Sequence, residues 1–362
     1  MSLHALRRWT GALCLALWSL AASGEESLHL PAAPDAGPFQ PLVVHAALDL
    51  PQARPLLEAF HRRHPHLDIT YRNLTTLELH QRFLETPDAA DVVLSSAMPW
   101  QYLLANDGHA QPLDSDTARA WPAWARWRNE LFAFTFEPIV MVVHRDFTER
   151  FGALESHGDL LEHLATHPRA LAGRVVTYDP ARSGAGYTYA IEESRISPRY
   201  WDLIAALGQA RAALADTTGE MLEGLAEGRY LVGYNLLGSY VRDAVAALPE
   251  LAVVVPEDYA LVTQRLAFIP RQAPHPEAAA LFLDYLIGEA GQRTIAEHTE
   301  LGAVHPVLDG PGTAAALRSE LGDALRPIAL GPGLLATLDD LKRQALLSRW
   351  QREFGRQGPA FR

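Results

Sequence analysis

From residue 42 onward the chain alternates between short β-branched runs and segments whose apolar positions recur every three to four residues. Residues 42–47 (LVVHAA) read as a buried strand, and 51–64 as a helix with Leu56, Leu57 and Phe60 on one face. A second strand is expected over 67–72 and a second helix over 77–84. Residues 91–94 (DVVL) form a third strand that ends in Ser95 and Ser96, and a helix over 99–106 stops at Gly108. Strand and helix in strict alternation predict a parallel sheet. In such a sheet ligands gather beyond the carboxyl ends of the strands, which nominates Ala46, Ala47, residues 73–76, Ser95 and Ser96. Both serines also suit helix caps.

Two longer β-rich runs break this rhythm. Residues 132–143 (FAFTFEPIVMVV) are interrupted by Glu137 and Pro138, and residues 259–270 (YALVTQRLAFIP) come much later. Read as strands that cross between lobes, they enclose residues 143–258 as an inserted lobe. The domain plan is lobe 1 over 41–137, lobe 2 over 138–263, and a return to lobe 1 with C-terminal helices over 264–362. Inside lobe 2 a helix is expected over 201–214. A capping sequence over 216–220 then precedes a helix over 221–226, and a strand over 229–240 carries Tyr234 and Asn235. A strand over 251–256, an apolar helix over 276–288 and a long closing helix over 334–354 complete the pattern. Trp121, Trp124 and Trp127, at three-residue spacing, read as packing residues.

The stretch 177–187 (TYDPARSGAGY) offers the clearest chemistry. It reads as strand, turn and helix, with Ser183 as N-cap and Gly184 and Gly186 letting the main chain approach a ligand closely. First-turn N–H groups at Gly184, Ala185 and beyond carry the positive end of the helix dipole, so the natural occupant is an anion, with Arg182 adding a fork of donors. Tyr187 closes the stretch. A glycine-rich loop can equally start a helix without binding anything. No third glycine follows at dinucleotide spacing and no Gly-Lys-Ser/Thr ending appears, so neither a Rossmann site nor a P-loop is supported. Thr218 and Gly219 open another helix N-terminus.

The first 23 residues combine Arg7 and Arg8, an apolar stretch too short to span a bilayer comfortably, and Ala21, Ala22 and Ser23 as small residues for cleavage, and so read as a secretory signal. Residues 24–40 (GEESLHLPAAPDAGPFQ) are proline-rich and aperiodic, a mobile leader. Cleavage removes Cys14, the only cysteine, so the mature chain has neither disulfide nor zinc-thiolate chemistry to offer. It also takes the formal charge from −12 to about −14 by removing Arg7 and Arg8, which argues against nucleic acid or an anionic membrane as partner and makes any anion site local.

Several separate motifs in order then carry a resemblance: residues 90–101 (ADVVLSSAMPWQ), NDGHAQP, FEPIVMVV, TYDPARSGAGY, residues 217–240 (TTGEMLEGLAEGRYLVGYNLLGSY) and residues 258–286 (DYALVTQRLAFIPRQAPHPEAAALFLDYL). Together they resemble an extracellular solute-binding protein of bacterial ABC transporters. The likeness is to the ferric-binding-protein-like branch, which includes phosphoglycerate-transport regulatory proteins and hexose-phosphate or phosphonate binders. The resemblance implies an α/β type II periplasmic binding fold, two lobes joined by two crossing strands that close on a ligand about hinges near Glu137 and Gln264. It further implies that Ser95, Ser96, Arg182, Ser183, Gly184, Ala185, Gly186, Tyr187, Thr218, Gly219, Tyr234 and Asn235 line the cleft, with no catalytic residue, metal or cofactor. The expected partners are a small anion and an ABC permease or sensor-kinase ectodomain, for a periplasmic monomer.

A ferric-ion receptor is the competing reading. Iron-binding members resemble one another in two adjacent tyrosines at the end of the second-lobe strand, whereas this chain has Tyr234 followed by Asn235. His45, and the cluster His61, His64 and His66, read as structural or solvated. A secreted hydrolase is the third reading, although neither HExxH nor GxSxG occurs.

Overall fold

A computed structural model describes residues 26–35 and 37–356. The expected signal segment, with Cys14, lies outside the described residues.

Two sheets organise two lobes. The first runs β1 (Ser27–Leu30), β3 (Leu67–Asn73), β2 (Gln40–Ala46), β4 (Val92–Ser95), β14 (Leu266–Pro270), β7 (Leu131–Ala133), β6 (Arg126–Trp127), with β5 (Ala110–Gln111) paired to β14. Strands β2, β3 and β4 are parallel. Helices α1 (Leu50–Arg63) and α2 (Thr76–Glu85) make the crossovers that parallel pairing requires. The second sheet runs β10 (Ala213–Ala215), β9 (Val175–Tyr178), β11 (Val232–Leu237), β8 (Glu137–His144), β13 (Ala260–Thr263), β15 (Leu325–Pro327), with β12 (Leu251–Val254) on β8.

Lobe 1 further carries α3 (Met98–Asn106), α4 (Asp116–Ala120), α11 (Pro276–Ile287), α12 (Glu289–His298) and α13 (Ala314–Leu321). The helices of lobe 2 are α5 (Arg145–Phe151), α6 (His157–Thr166), α7 (Gly184–Ile196), α8 (Tyr200–Gln209), α9 (Thr218–Ala226), α10 (Gly238–Ala247) and α14 (Asp340–Phe354).

Local signals account for most of these boundaries. Leu56, Leu57 and Phe60 of α1 are buried on one face. A reciprocal capping box between Thr75 and Glu78 starts α2, and the Ser183 and Thr217 side chains start α7 and α9. The tryptophans pack: Trp121 donates from Nε1 to the Ala133 carbonyl, Trp124 meets Phe136 edge-on, and Trp127 lies on Tyr102. No described helix is long and apolar enough to cross a membrane.

Four expectations change. Residues 27–30, read as part of a mobile leader, pair antiparallel with β3, because its free edge supplies a template that composition does not reveal. The helix expected over 201–214 stops at Gln209. Arg211 takes a left-handed turn (φ 50°) and residues 213–215 join β9 as β10. The closing helix over 334–354 is split into a 3-10 segment, Pro332–Thr337, and α14, capped by Asp339.

The C-terminal region does not stay with lobe 1. After α13, held there by Arg318 over the Trp124 and Phe136 rings, the chain crosses a third time, pairs β15 parallel to β13, and packs α14 on α8. Apolar burial directs this: Trp350 is 5% exposed and joins the lobe 2 core around Tyr200, Leu203 and Leu207.

Gly208 makes that docking possible. A Cβ at this position would lie 1.7 Å from the Phe354 carbonyl oxygen, a collision with main chain that no rotamer relieves. Gly208→Ala is therefore expected to lower stability by about 1–3 kcal/mol and loosen α14. Thermal melting and limited proteolysis read both effects, and an unchanged melt with intact protease resistance would refute the tight docking.

Candidate functional site

Two helices that follow nominated strand ends, α2 after β3 and α3 after β4, approach lobe 2 at α7. The approach is seen at Gly184, the first residue of α7. A methyl group placed there would lie 3.4 Å from Cη2 of Trp100 in α3 and 3.9 Å from Oγ1 of Thr76 in α2. The N-terminal ends of α2 and α3 in lobe 1 and of α7 in lobe 2 therefore converge.

Within the β9–α7 loop the turn is built from its own polar groups. The Asp179 carbonyl accepts from the Arg182 and Ser183 amides, and its carboxylate accepts from the Ala181 amide (2.8 Å). Ser183 Oγ caps the helix by accepting from the Gly186 amide at 3.1 Å. The Gly184 and Ala185 amides, both in half-buried residues, lie in the first turn and have no intrahelical acceptor. Gly186 is a packing glycine. A Cβ there would come within 2.5 Å of Tyr178 Cβ, so α7 rests directly on β9.

The other nominated residues differ in what holds them. Ser95 is buried at the end of β4 and accepts from the Ala97 amide at 3.1 Å, while Ser96 is half-buried at the start of α3. Thr218 is buried and shares a hydrogen bond with the Tyr178 hydroxyl; Gly219 is exposed beside it on α9. Arg182, expected to donate to a ligand, is 70% exposed and paired with Asp216 on the neighbouring loop at 2.5 Å. The Tyr187 hydroxyl donates to the Thr337 carbonyl at 2.6 Å, and Arg343 lies over its ring, so it anchors the C-terminal segment.

Tyr234 and Asn235 are drawn into the interior of lobe 2. Consecutive residues of a regular strand point to opposite faces, but the register of β11 on β8 shifts between Gly233 and Leu236 and Asn235 is left-handed (φ 67°). Both side chains therefore reach one buried carboxylate, Glu193 of α7. The Tyr234 hydroxyl lies 2.9 and 2.8 Å from its two oxygens and Asn235 Nδ2 is 2.7 Å from one of them. Tyr259 adds a hydroxyl at 3.2 Å, and His157 Nε2 lies 3.3 Å away. Burial, reinforced by the Glu193 charge, pushes the Tyr234 hydroxyl pKa well up, so it stays a neutral donor. His157 stacks flat on Tyr259 (3.9 Å between ring centres) and bonds Asp258 at 2.8 Å through Nδ1. Burial opposes its charge, yet hydrogen bonds and charge from Asp258 and Glu193 outweigh it and raise its pKa to about 9.

Sequence reading missed a second buried carboxylate, at the crossings. Glu137, wholly buried, accepts from Arg265 Nε at 3.0 Å and from the hydroxyls of Thr135 and Ser239. Arg265 Nη1 reaches the Ala47 carbonyl at 2.6 Å, at the cleft end of β2. Desolvation works against the guanidinium, but Glu137 more than compensates and raises its pKa above the ordinary arginine value. A charge of each sign within two apolar runs was the available signal. In the HxxHxH cluster His64 packs on Phe60 and toward His66, and among the described residues no three His, Cys, Asp or Glu side chains gather as a metal site.

The family described as bacterial extracellular solute-binding protein matches residues 46–298. The crystal structure of the substrate binding protein of an ABC transporter from Agrobacterium tumefaciens is 34% identical, with TM-score 0.86, over 91% of this chain and 98% of that one. Iron-bound HitA from Pseudomonas aeruginosa (17% identical, TM-score 0.68, 87% and 99% covered) shares the fold. So does AfuA from Actinobacillus pleuropneumoniae with fructose-6-phosphate bound (15%, 0.68, 86% and 98%). No curated protein matches. Two α/β lobes around one cleft are the type II periplasmic binding fold of these neighbours, and this chain belongs to the bacterial extracellular solute-binding protein family of ABC transporters.

Proposed function

We propose that the protein captures a small anion, an organophosphate or a carboxylate, between its lobes in the periplasm and presents it to an ABC permease or a membrane sensor. The observation that carries this reading is the first turn of α7, where the Gly184 and Ala185 amides lack intrahelical acceptors and Gly184 lies beside Trp100 and Thr76 at the lobe 1 helix ends. Backbone donors and a helix dipole aimed at one point favour negative charge, and lobe closure on the ligand would bring the second lobe's donors to it. AfuA, a structural neighbour, holds a sugar phosphate.

Iron-bound HitA keeps the ferric alternative in view, but Tyr234 gives it little support here. Its hydroxyl is engaged by Glu193, its ionisation is strongly disfavoured, and its neighbour Asn235 is neutral. A hydrolase gains nothing from the His157–Asp258 pair, because the imidazole's other nitrogen faces Glu193, not a hydroxyl nucleophile.

The test is Gly184→Val. Its φ is not left-handed and its nearest neighbours leave room for a Cβ, so lobe 2 should fold and melt as the wild type does. The larger side chain presses on Trp100 and screens the amides. Charge-assisted hydrogen bonds contribute about 1.5–3 kcal/mol each, so losing one or two should weaken anion affinity roughly tenfold to a few hundredfold. Calorimetric titration with phosphate esters and dicarboxylates, beside ferric citrate, measures this. Undiminished binding in the variant would move the site away from α7.

A further inference from the structure

We propose that Asp216 is a counter-charge that sets the anion affinity of the cleft by holding Arg182 until a ligand takes its place. The inference rests on the anion reading above.

Strands β9 and β10 are parallel neighbours, with Ala215 level with Tyr178, so the loops that follow them lie side by side. One leads into α7 and carries Arg182; the other leads into α9 and begins with Asp216. The Asp179 amide bonds the Ala215 carbonyl at 2.9 Å and ties the two loops at their base. Across their outer edge, Arg182 Nη2 and Asp216 Oδ2 are 2.5 Å apart.

The acidic groups of these loops differ in what holds them. Asp179 closes its own turn on the Ala181 amide, and Glu220 accepts from the Asp216 amide at 2.8 Å. The Asp216 carboxylate contributes to neither loop's backbone; its bond is to Arg182. Asp216 can therefore lose its charge without unmaking a cap, since Thr217 and Glu220 start α9.

An ion pair with one partner 70% and the other 33% exposed is weakly held, because water screens it and two mobile side chains must be ordered. An oxyanion at the first turn of α7 would compete with the Asp216 carboxylate for the same guanidinium. Binding then has to break the Arg182–Asp216 pair, and it leaves Asp216 as a negative charge beside the ligand. The pair thus lowers affinity below what Arg182 and the amides would give together. For a carrier that must hand its cargo on, such an opposing charge favours release.

The experiment titrates inorganic phosphate and succinate into wild type, Asp216→Asn, Arg182→Ala and the double variant, at two salt concentrations. Asp216→Asn should bind whichever anion the wild type takes roughly tenfold more tightly, with steeper salt dependence and an unchanged melting temperature. In the Arg182→Ala background the same substitution should give a clearly smaller gain, because the freed guanidinium is the larger part of the effect. Equal or weaker binding by Asp216→Asn, or an undiminished gain without Arg182, overturns the counter-charge role and leaves the anion site standing. Absence of anion binding in all four proteins overturns the anion reading and this role with it.

Discussion

Replacing Glu137 with leucine should destabilise the protein by about 3–5 kcal/mol, because it leaves the Arg265 guanidinium buried at the crossings without its counter-charge. Arginine does not escape by losing its proton. Thr135 and Ser239 lose the acceptor of their hydroxyls as well. Removing both charges together, Glu137→Leu with Arg265→Met, should recover most of the loss, since buried pairs often exchange for apolar side chains at little net change. Thermal and urea unfolding of the two singles and the double measure the coupling. Single and double variants equally destabilised would mean that the pair does not act as a unit. Arg265 also bonds the Ala47 carbonyl, and Ser239 lies at the start of α10, so the pair ties both crossings to lobe 1 and lobe 2 together. The double variant is therefore the cleaner protein in which to ask whether this pair also guides lobe closure, with scattering radius as the readout.

The second large effect is a loss of stability in mild alkali. His157 is raised from 6.5 to about 9 in the folded protein, so the folded state holds a proton that the unfolded chain releases first. Its contribution is complete below about pH 6.5 and disappears as pH rises through about 9. The shift corresponds to about 3 kcal/mol. Asp258, held below its ordinary value chiefly because its bond to His157 outweighs burial, acts at the opposite end, where stability falls as pH drops below the usual carboxylate range. Glu193→Gln should lower the stability at pH 7 and shrink the alkaline loss, because it removes the charge that Nε2 faces. Urea unfolding at pH 6, 8 and 10 provides the measurement, and a wild-type profile flat from 6 to 10 would refute a protonated His157.

What the sequence determined by itself was much of what depends on residues within a turn or two of one another. The alternation of periods showed two α/β lobes, the paired β-rich runs marked two crossings, and Ser183 announced the start of α7 because a cap needs only the three residues after it. Motif order over most of the chain was enough to show the family.

Tertiary structure alone decided which partner each polar group found. The donors to Glu193 lie 41, 42 and 66 residues away, and two of them are adjacent in a strand that had to bulge before both could reach it. Arg182 looked free for a ligand until the strand order set Asp216 beside it. The N-terminal edge strand needed the open side of β3, and the path of residues 325–356 needed the apolar face of α8 and a glycine at 208 to admit Phe354. Burying a charge or pairing an edge is favourable only against a particular partner, and that partner's position is a property of the whole folded chain.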